Sequence, residues 1–342
     1  MNKPVENDRT NVRAYDVPPL TSILLMLLVS ALPVTIFLVD SLPIAFVLFA
    51  LCAGLQIFTY LLLRNHLIFL CAIPAYCLIY LCTSSPFFSL VVLPIGALSI
   101  GCAIAIEREK AKTTSVIWGA VALGACFCVL SAIILYLRYD RLSLSLVRQV
   151  GSQWFEQLRT QMTQLSQSMQ QVWTAQTGDT IDATVDAQLI KTAVDYLKRI
   201  ALGVGIDLLL LCAYLAVSIS RLCARLLHCP DIFPNASFPL TLSSGSAIVY
   251  CASYFVLLFV ASSVARIVAF NLIIILTPGL FITGWMQLAA VLHNARYARS
   301  RIFLLLLLAF LLLYQLMLFI NCVVLFGLWA AAKRLGENKK NT

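Results

Sequence analysis

Tyr139 to Lys198 read YDRLSLSLVRQVGSQWFEQLRTQMTQLSQSMQQVWTAQTGDTIDATVDAQLIKTAVDYLK, and this polar interval decides how the rest of the chain is parsed. Leu142, Leu146, Val150, Trp154, Leu158, Met162, Leu165, Met169 and Val172 recur every three or four residues, which places them on one face of a helix. The opposite face carries Arg148, Gln153, Gln157, Arg159, Gln161, Gln164, Gln167 and Gln171, mostly uncharged and therefore open to either protein or lipid headgroups. Thr177, Gly178 and Asp179 supply a helix end and a turn, and Ile181, Val185, Leu189, Val194 and Leu197 mark a second amphipathic stretch. About 60 residues broken at Gly178 are too few for an independent core, so the interval is expected to be a helical hairpin. Such a hairpin can cap a membrane bundle, pair with a partner through Trp154, Leu158, Met162, Leu165 and Met169, or act as a lid over a ligand.

On both sides of it the sequence is strongly apolar. Hydrophobic residues make up 61% of the 342 residues and charged ones 11%, with a mean hydropathy of +0.93, too little polar surface for a water-soluble globule. Runs of roughly 18 or more apolar residues cross a bilayer as helices, because lipid offers no partners to free backbone groups. Nine such runs are expected, at about 20–39, 42–63, 67–82, 87–106, 115–137, 200–219, 247–264, 267–292 and 302–332. The boundary between the seventh and eighth is soft. The fold class is therefore all-α, a polytopic transmembrane bundle of about nine spans with an extracytoplasmic amphipathic hairpin.

The chain divides into a solvated tail (1–19), a five-span bundle (20–138), the amphipathic interval (139–198), a membrane block of about four spans (199–332) and a basic tail (333–342). The first run lacks an A-x-A cleavage pattern and is expected to stay as an uncleaved anchor. Basic residues in short loops orient the chain: with a cytoplasmic N-terminus, Arg64, Arg108, Lys110, Lys112, Arg221, Arg225, Arg296, Arg299 and Arg301 all face the cytoplasm. The last run would be about 45 Å long as one helix, longer than a bilayer core requires. It is expected to tilt, to break near Gln315 or Asn321, or to turn back, and the side of the C-terminal tail stays open.

Twelve cysteines do not suggest a disulfide framework, because ten of them, from Cys52 to Cys322, fall in or at the ends of spans, where cysteine behaves as a small hydrophobe. Cys223, His228 and Cys229 lie close in sequence but lack a fourth ligand or C-x-x-C spacing, so no metal site is assigned. Ionisable residues inside spans carry more weight. Asp207 stands near the middle of the sixth span with Gly203 and Gly205 just before it, small residues that admit a neighbouring helix or a ligand. It can pair with Arg266, accept a hydrogen bond from Asn271 or a tyrosine, or serve a ligand, proton or ion. Arg266 divides between snorkelling to the interface and acting as an interior counter-ion. Asn271 and the Thr277-Pro278-Gly279 stretch suggest local unwinding of the eighth span, a device that transporters use at binding sites.

The three histidines, His66, His228 and His293, fall near span ends, and no H-E-x-x-H, G-x-S-x-G or P-loop pattern occurs, so the chain is read as non-catalytic with no cofactor. Any ATP-driven activity needs a separate subunit. The net charge of +9 lies in loops beside spans, where contact with anionic lipid accounts for it and nucleic acid does not enter.

Leu93-Pro94-Ile95-Gly96 with Gly101 before Arg108 and Lys110, Phe238-Pro239-Leu240, Asn271 followed by Gly279 and Gly284, and Phe326-Gly327-Leu328 with Arg334 follow one another in an order that resembles the YybS-like bacterial membrane-protein family. Ala330 departs from the acidic residue expected after the Gly-Leu pair. The resemblance implies a bacterial cell membrane. It also implies an N-terminal part similar to the substrate-binding S component of energy-coupling-factor transporters, which works with a separate ATPase and coupling subunit. Two functions follow as expectations: a transport-related protein with a ligand between helices near Asp207, or a scaffold or sensor, possible as an oligomer, that recruits a partner through its outer hairpin.

Overall fold

A computed structural model describes residues 18–108, 111–141, 143–177, 183–229, 232–233, 242–293 and 298–338. The described chain is helical, and eight of its helical segments are long and apolar enough to cross a membrane. The protein is a multi-pass integral membrane protein.

Among the described residues twelve α-helices follow in order: α1 (Pro19–Ala31), α2 (Leu42–Leu63), α3 (Ala72–Thr83), α4 (Pro86–Ser89), α5 (Val92–Glu107), α6 (Lys112–Tyr139), α7 (Leu144–Thr177), α8 (Ala183–Leu226), α9 (Ser244–Phe259), α10 (Ser263–His293), α11 (Ala298–Tyr314) and α12 (Leu316–Asn338). Short 3₁₀ turns at Leu32–Leu38 and His66–Cys71 extend the first and third spans. Pro33 explains the first of them: without an N–H it cannot donate back along an α-helix, and the backbone tightens instead.

The main core is made by α2, α5, α6 and α8. Ala53, Ile57 and Phe58 of α2 meet Leu98, Cys102 and Ile106 of α5, Val116 and Leu123 of α6, and Ala213, Ala216 and Val217 of α8. In lipid the helices gain little from hydrophobic transfer, so small residues at the crossings supply stability by close packing. A second cluster joins α9, α10 and α12 through Tyr250, Ile273, Leu280 and Val324. There α10 and α12 touch backbone to backbone, because a Cβ at Gly284 would strike the Val323 carbonyl and one at Gly327 the Leu280 carbonyl.

The structure fixes three of the sequence expectations in detail. The second amphipathic stretch, expected to lead into the sixth span, is continuous with it: α8 runs unbroken for 44 residues from the polar interval through that span. No glycine or proline stands between Ala183 and Leu202 to stop it, and Gly178, the expected turn, lies outside the described residues. The seventh run shortens to the 16 residues of α9, less than the roughly 20 that a span needs, because the chain leaves the helix at Val260 and restarts at Ser263. The last run does break, at Gln315, into α11 and α12.

Four helix ends gather at one end of the bundle. The Tyr60 hydroxyl of α2 donates to Glu107 Oε2 of α5 at 2.7 Å, and Arg64 Nη1 lies 3.4 Å from Glu107 Oε1. Lys112 Nζ at the start of α6 lies 3.3 Å from Ser218 Oγ near the end of α8. Arg64, Arg108, Lys112, Arg221 and Arg225 therefore share an end.

Candidate functional site

Gly203, Asp207, Leu210, Tyr214, Ser218, Arg221 and Arg225 succeed one another every three or four residues along α8, and so share one face. Gly203 begins this stripe. It is buried, and a Cβ placed on it would lie 2.7 Å from Asn271 Oδ1 and 3.3 Å from Asn271 Cα. Only glycine leaves room there.

Asn271, buried on α10, uses that space fully. The Gly203 N–H donates to its Oδ1 at 2.7 Å, while its Nδ2 donates to the Arg199 carbonyl and to the Ile267 carbonyl, each at 2.8 Å. Gly203 N–H and Arg199 C=O are the two groups that one turn of α8 would pair with each other. The carboxamide thus bridges a backbone donor and acceptor four residues apart, and fastens α10 to α8. Tyr196 and Phe270 add a ring contact, with centroids 5.8 Å apart.

This changes the reading of Asn271. Both of its amide hydrogens and its oxygen are engaged by backbone, so it joins helices and has no donor left for a ligand. The expected unwinding is also absent from α10, which stays helical from Ser263 to His293 through Pro278. Thr277 donates its hydroxyl to the Ile273 carbonyl at 2.6 Å and Thr283 to the Gly279 carbonyl at 2.9 Å, local bonds that tie the side chains to the turns on either side of the proline.

Asp207 lies one turn beyond Gly203 on the same face. Its Oδ1 is sealed from the surface and has no hydrogen-bond partner, so neither Arg266, Asn271 nor a tyrosine satisfies that oxygen among the described residues. Arg266 is exposed in the first turn of α10, as a snorkelling cation would be. Gly205 has nothing within 4 Å of a Cβ position. Of the three candidates, the structure joins Asn271 to the helix that carries Asp207 and leaves Arg266 apart.

The polar interval is built by α7 and the start of α8, which pack against each other. Lys198 Nζ lies 3.6 Å from Glu156 Oε1 and 5.7 Å from the Phe155 ring, and Leu146 and Val194 are buried. Of the partner-facing candidates, Leu158 is half-buried, while Trp154, Met162, Leu165 and Met169 are 55%, 38%, 63% and 66% exposed. A surface pocket of about 660 Å³ lies along the polar side of α7, lined by Ser152, Gln153, Glu156, Gln157, Thr160 and Gln161. Asp207 does not line it.

Cys223 and Cys229 pack against the main core, and the Cys229 thiol donates to the Leu227 carbonyl at 3.3 Å. His228 takes the left-handed conformation that ends α8. No group of three or more metal-ligating side chains occurs among the described residues.

Lys112 is a residue that sequence reading placed only as a loop cation. It is 8% exposed, with its Nζ over the Tyr214 ring at 4.5 Å as well as against Ser218. The available signal was its position directly before an apolar run, in a first turn without an acidic residue. Comparison with family models, with curated proteins and with solved structures finds no match.

Proposed function

We propose that this protein is a non-catalytic membrane component of a transport system, which binds its ligand between helices at Asp207. The observation that carries the reading is the orphaned Oδ1, a buried acceptor with no partner in the middle of an apolar helix. Leaving such a group unsatisfied costs about 1–3 kcal/mol, so its retention favours a role outside packing. A carboxylate there suits a proton, a cation or a ligand rich in hydrogen-bond donors. With no nucleotide-binding loop in the sequence, the energy source is a separate ATPase and coupling subunit, as the likeness to S components implies. The cell membrane is bacterial and the N-terminus cytoplasmic on the same reading.

Purification of the full chain in mild detergent, followed by native mass spectrometry, tests this. The expected result is a small molecule or cation that stays with the wild-type protein and is lost from Asp207→Asn, which keeps its size-exclusion profile. Identical bound species in both would refute a role for the charge.

A second reading, a scaffold or sensor, is favoured by the apolar side chains exposed on α7. Under it, a protein partner co-purifies with wild type and Asp207→Asn alike, and is lost when Leu165 and Met169 are made polar.

A further inference from the structure

At the basic end of the bundle the charges are arranged in a way that packing alone does not explain. Lys112 is nine-tenths buried, and its recorded partners, the Ser218 hydroxyl and the Tyr214 ring, are both neutral. No acidic side chain forms an ion pair with it among the described residues. It also occupies the first turn of α6, where the helix dipole is positive and a cation is disfavoured. That turn has no side-chain cap and no acidic residue, so its leading N–H groups point outward as donors. A buried cation at the positive end of a helix, without a carboxylate, is unfavourable three times over.

The next turns of α8 add to the same field. Arg221 and Arg225 follow Ser218 on its face of the helix, and Arg225 lies about 10 Å further along the axis, within reach of a long side chain. Arg108, Lys112, Arg221 and Arg225 gather there while Glu107 is engaged by Arg64 and Tyr60, so among the described residues the end keeps a positive excess.

We infer that the first turn of α6 and the last turns of α8 form a binding site for a phosphate group, held by Lys112 and Arg225. The lysine supplies the buried charge, the α6 N-terminus supplies backbone donors, and Arg225 offers the forked geometry that suits phosphate oxygens. A bound anion turns each of the three unfavourable features into a favourable one. The phosphate can belong to an anionic lipid headgroup or to a soluble phosphate compound, and the two sources are separable.

The full-length protein, stripped of lipid in neutral detergent, is offered phosphatidylglycerol, phosphatidylcholine or inorganic phosphate, and binding is read by native mass spectrometry. The expected result is retention of phosphatidylglycerol over phosphatidylcholine, or direct binding of inorganic phosphate. The double variant Lys112→Gln/Arg225→Gln binds about twenty-five-fold more weakly, at roughly fivefold for each charge, and Lys112→Arg retains most of the affinity. Displacement of phosphatidylglycerol by inorganic phosphate assigns a soluble phosphate; phosphatidylglycerol that phosphate does not displace assigns the headgroup.

Equal retention of both lipids with no bound phosphate overturns the inference. So does a loss no larger than that of Arg138→Gln/Arg141→Gln, which removes the same charge at the opposite end of α6. If the double variant does not survive purification, Arg225→Gln alone, exposed and outside the core, decides: about fivefold weaker binding supports the site and unchanged binding overturns it.

Discussion

The junction of Gly203 and Asn271 offers a quantitative test of how α8 and α10 are held together. In Asn271→Ala two interhelical hydrogen bonds disappear, those to Gly203 N–H and Arg199 C=O. Interhelical side-chain bonds in membranes contribute about 0.6 kcal/mol on average and up to about 1.7, so the loss is roughly 1–3 kcal/mol. It falls toward the lower end, because the two freed backbone groups belong to one turn of α8 and can pair with each other. Gly203→Ala acts from the other side: its methyl would lie 2.7 Å from Oδ1, an overpacking that costs about 1–3 kcal/mol. In the double variant Oδ1 is gone and part of that clash with it. The combined cost should therefore fall short of the sum by about 1 kcal/mol or more, measured as unfolding free energy in mixed micelles titrated with SDS. Additivity within about 0.5 kcal/mol would show that the carboxamide and the glycine do not act on each other. Asn271→Asp sharpens the test. Its second oxygen faces the carbonyls of Arg199 and Ile267, two acceptors, so it should destabilise at least as much as Asn271→Ala.

Other substitutions probe the remaining contacts. Gly284→Leu or Gly327→Leu drives a side chain into the backbone of the facing helix, and is expected to destabilise by about 3 kcal/mol or to abolish folding, read as loss of a monodisperse peak in detergent. Tyr60→Phe removes the 2.7 Å donor to Glu107 and should cost about 1–2 kcal/mol in the same SDS titration; Arg64→Ala, which loses a longer and partly exposed pair, should stay below about 1 kcal/mol. Leu165→Gln with Met169→Gln changes exposed positions on α7 and should leave thermal unfolding within about 0.5 kcal/mol of wild type. A large drop there would mean that this face of α7 is buried in the working assembly.

The membrane architecture was legible in the sequence because it follows from a local property. Each apolar run is continuous along the chain, and a bilayer makes such a run a helix whatever it packs against. Of the two polar residues inside the last run, Gln315 and Asn321, the break falls at Gln315. The second amphipathic stretch leads directly into the sixth span, and the absence of glycine and proline between Ala183 and Leu202 is why α8 carries through the change in polarity at Lys198. Polarity reports which solvent a helix meets, and helix-breaking residues report where it stops.

The site was only half legible, since its chemistry depends on partners distant in the chain. Asn271 and Gly203 are 68 residues apart, and Lys112 and Ser218 are 106 apart. An isolated asparagine in a span can serve a ligand or a neighbouring helix, and its type alone does not choose. A glycine on a second span, with no turn to make, is the complementary signal: it marks a surface that something approaches closely. Read together, the two identify Asn271 as the structural member of the pair. Asp207, one turn further along the same face and without a partner for its Oδ1, then stands apart from the packing that Asn271 accomplishes. A buried carboxylate oxygen that no neighbouring helix satisfies is costly in a medium without water, and this is what sets Asp207 apart from the fully bonded carboxamide beside it.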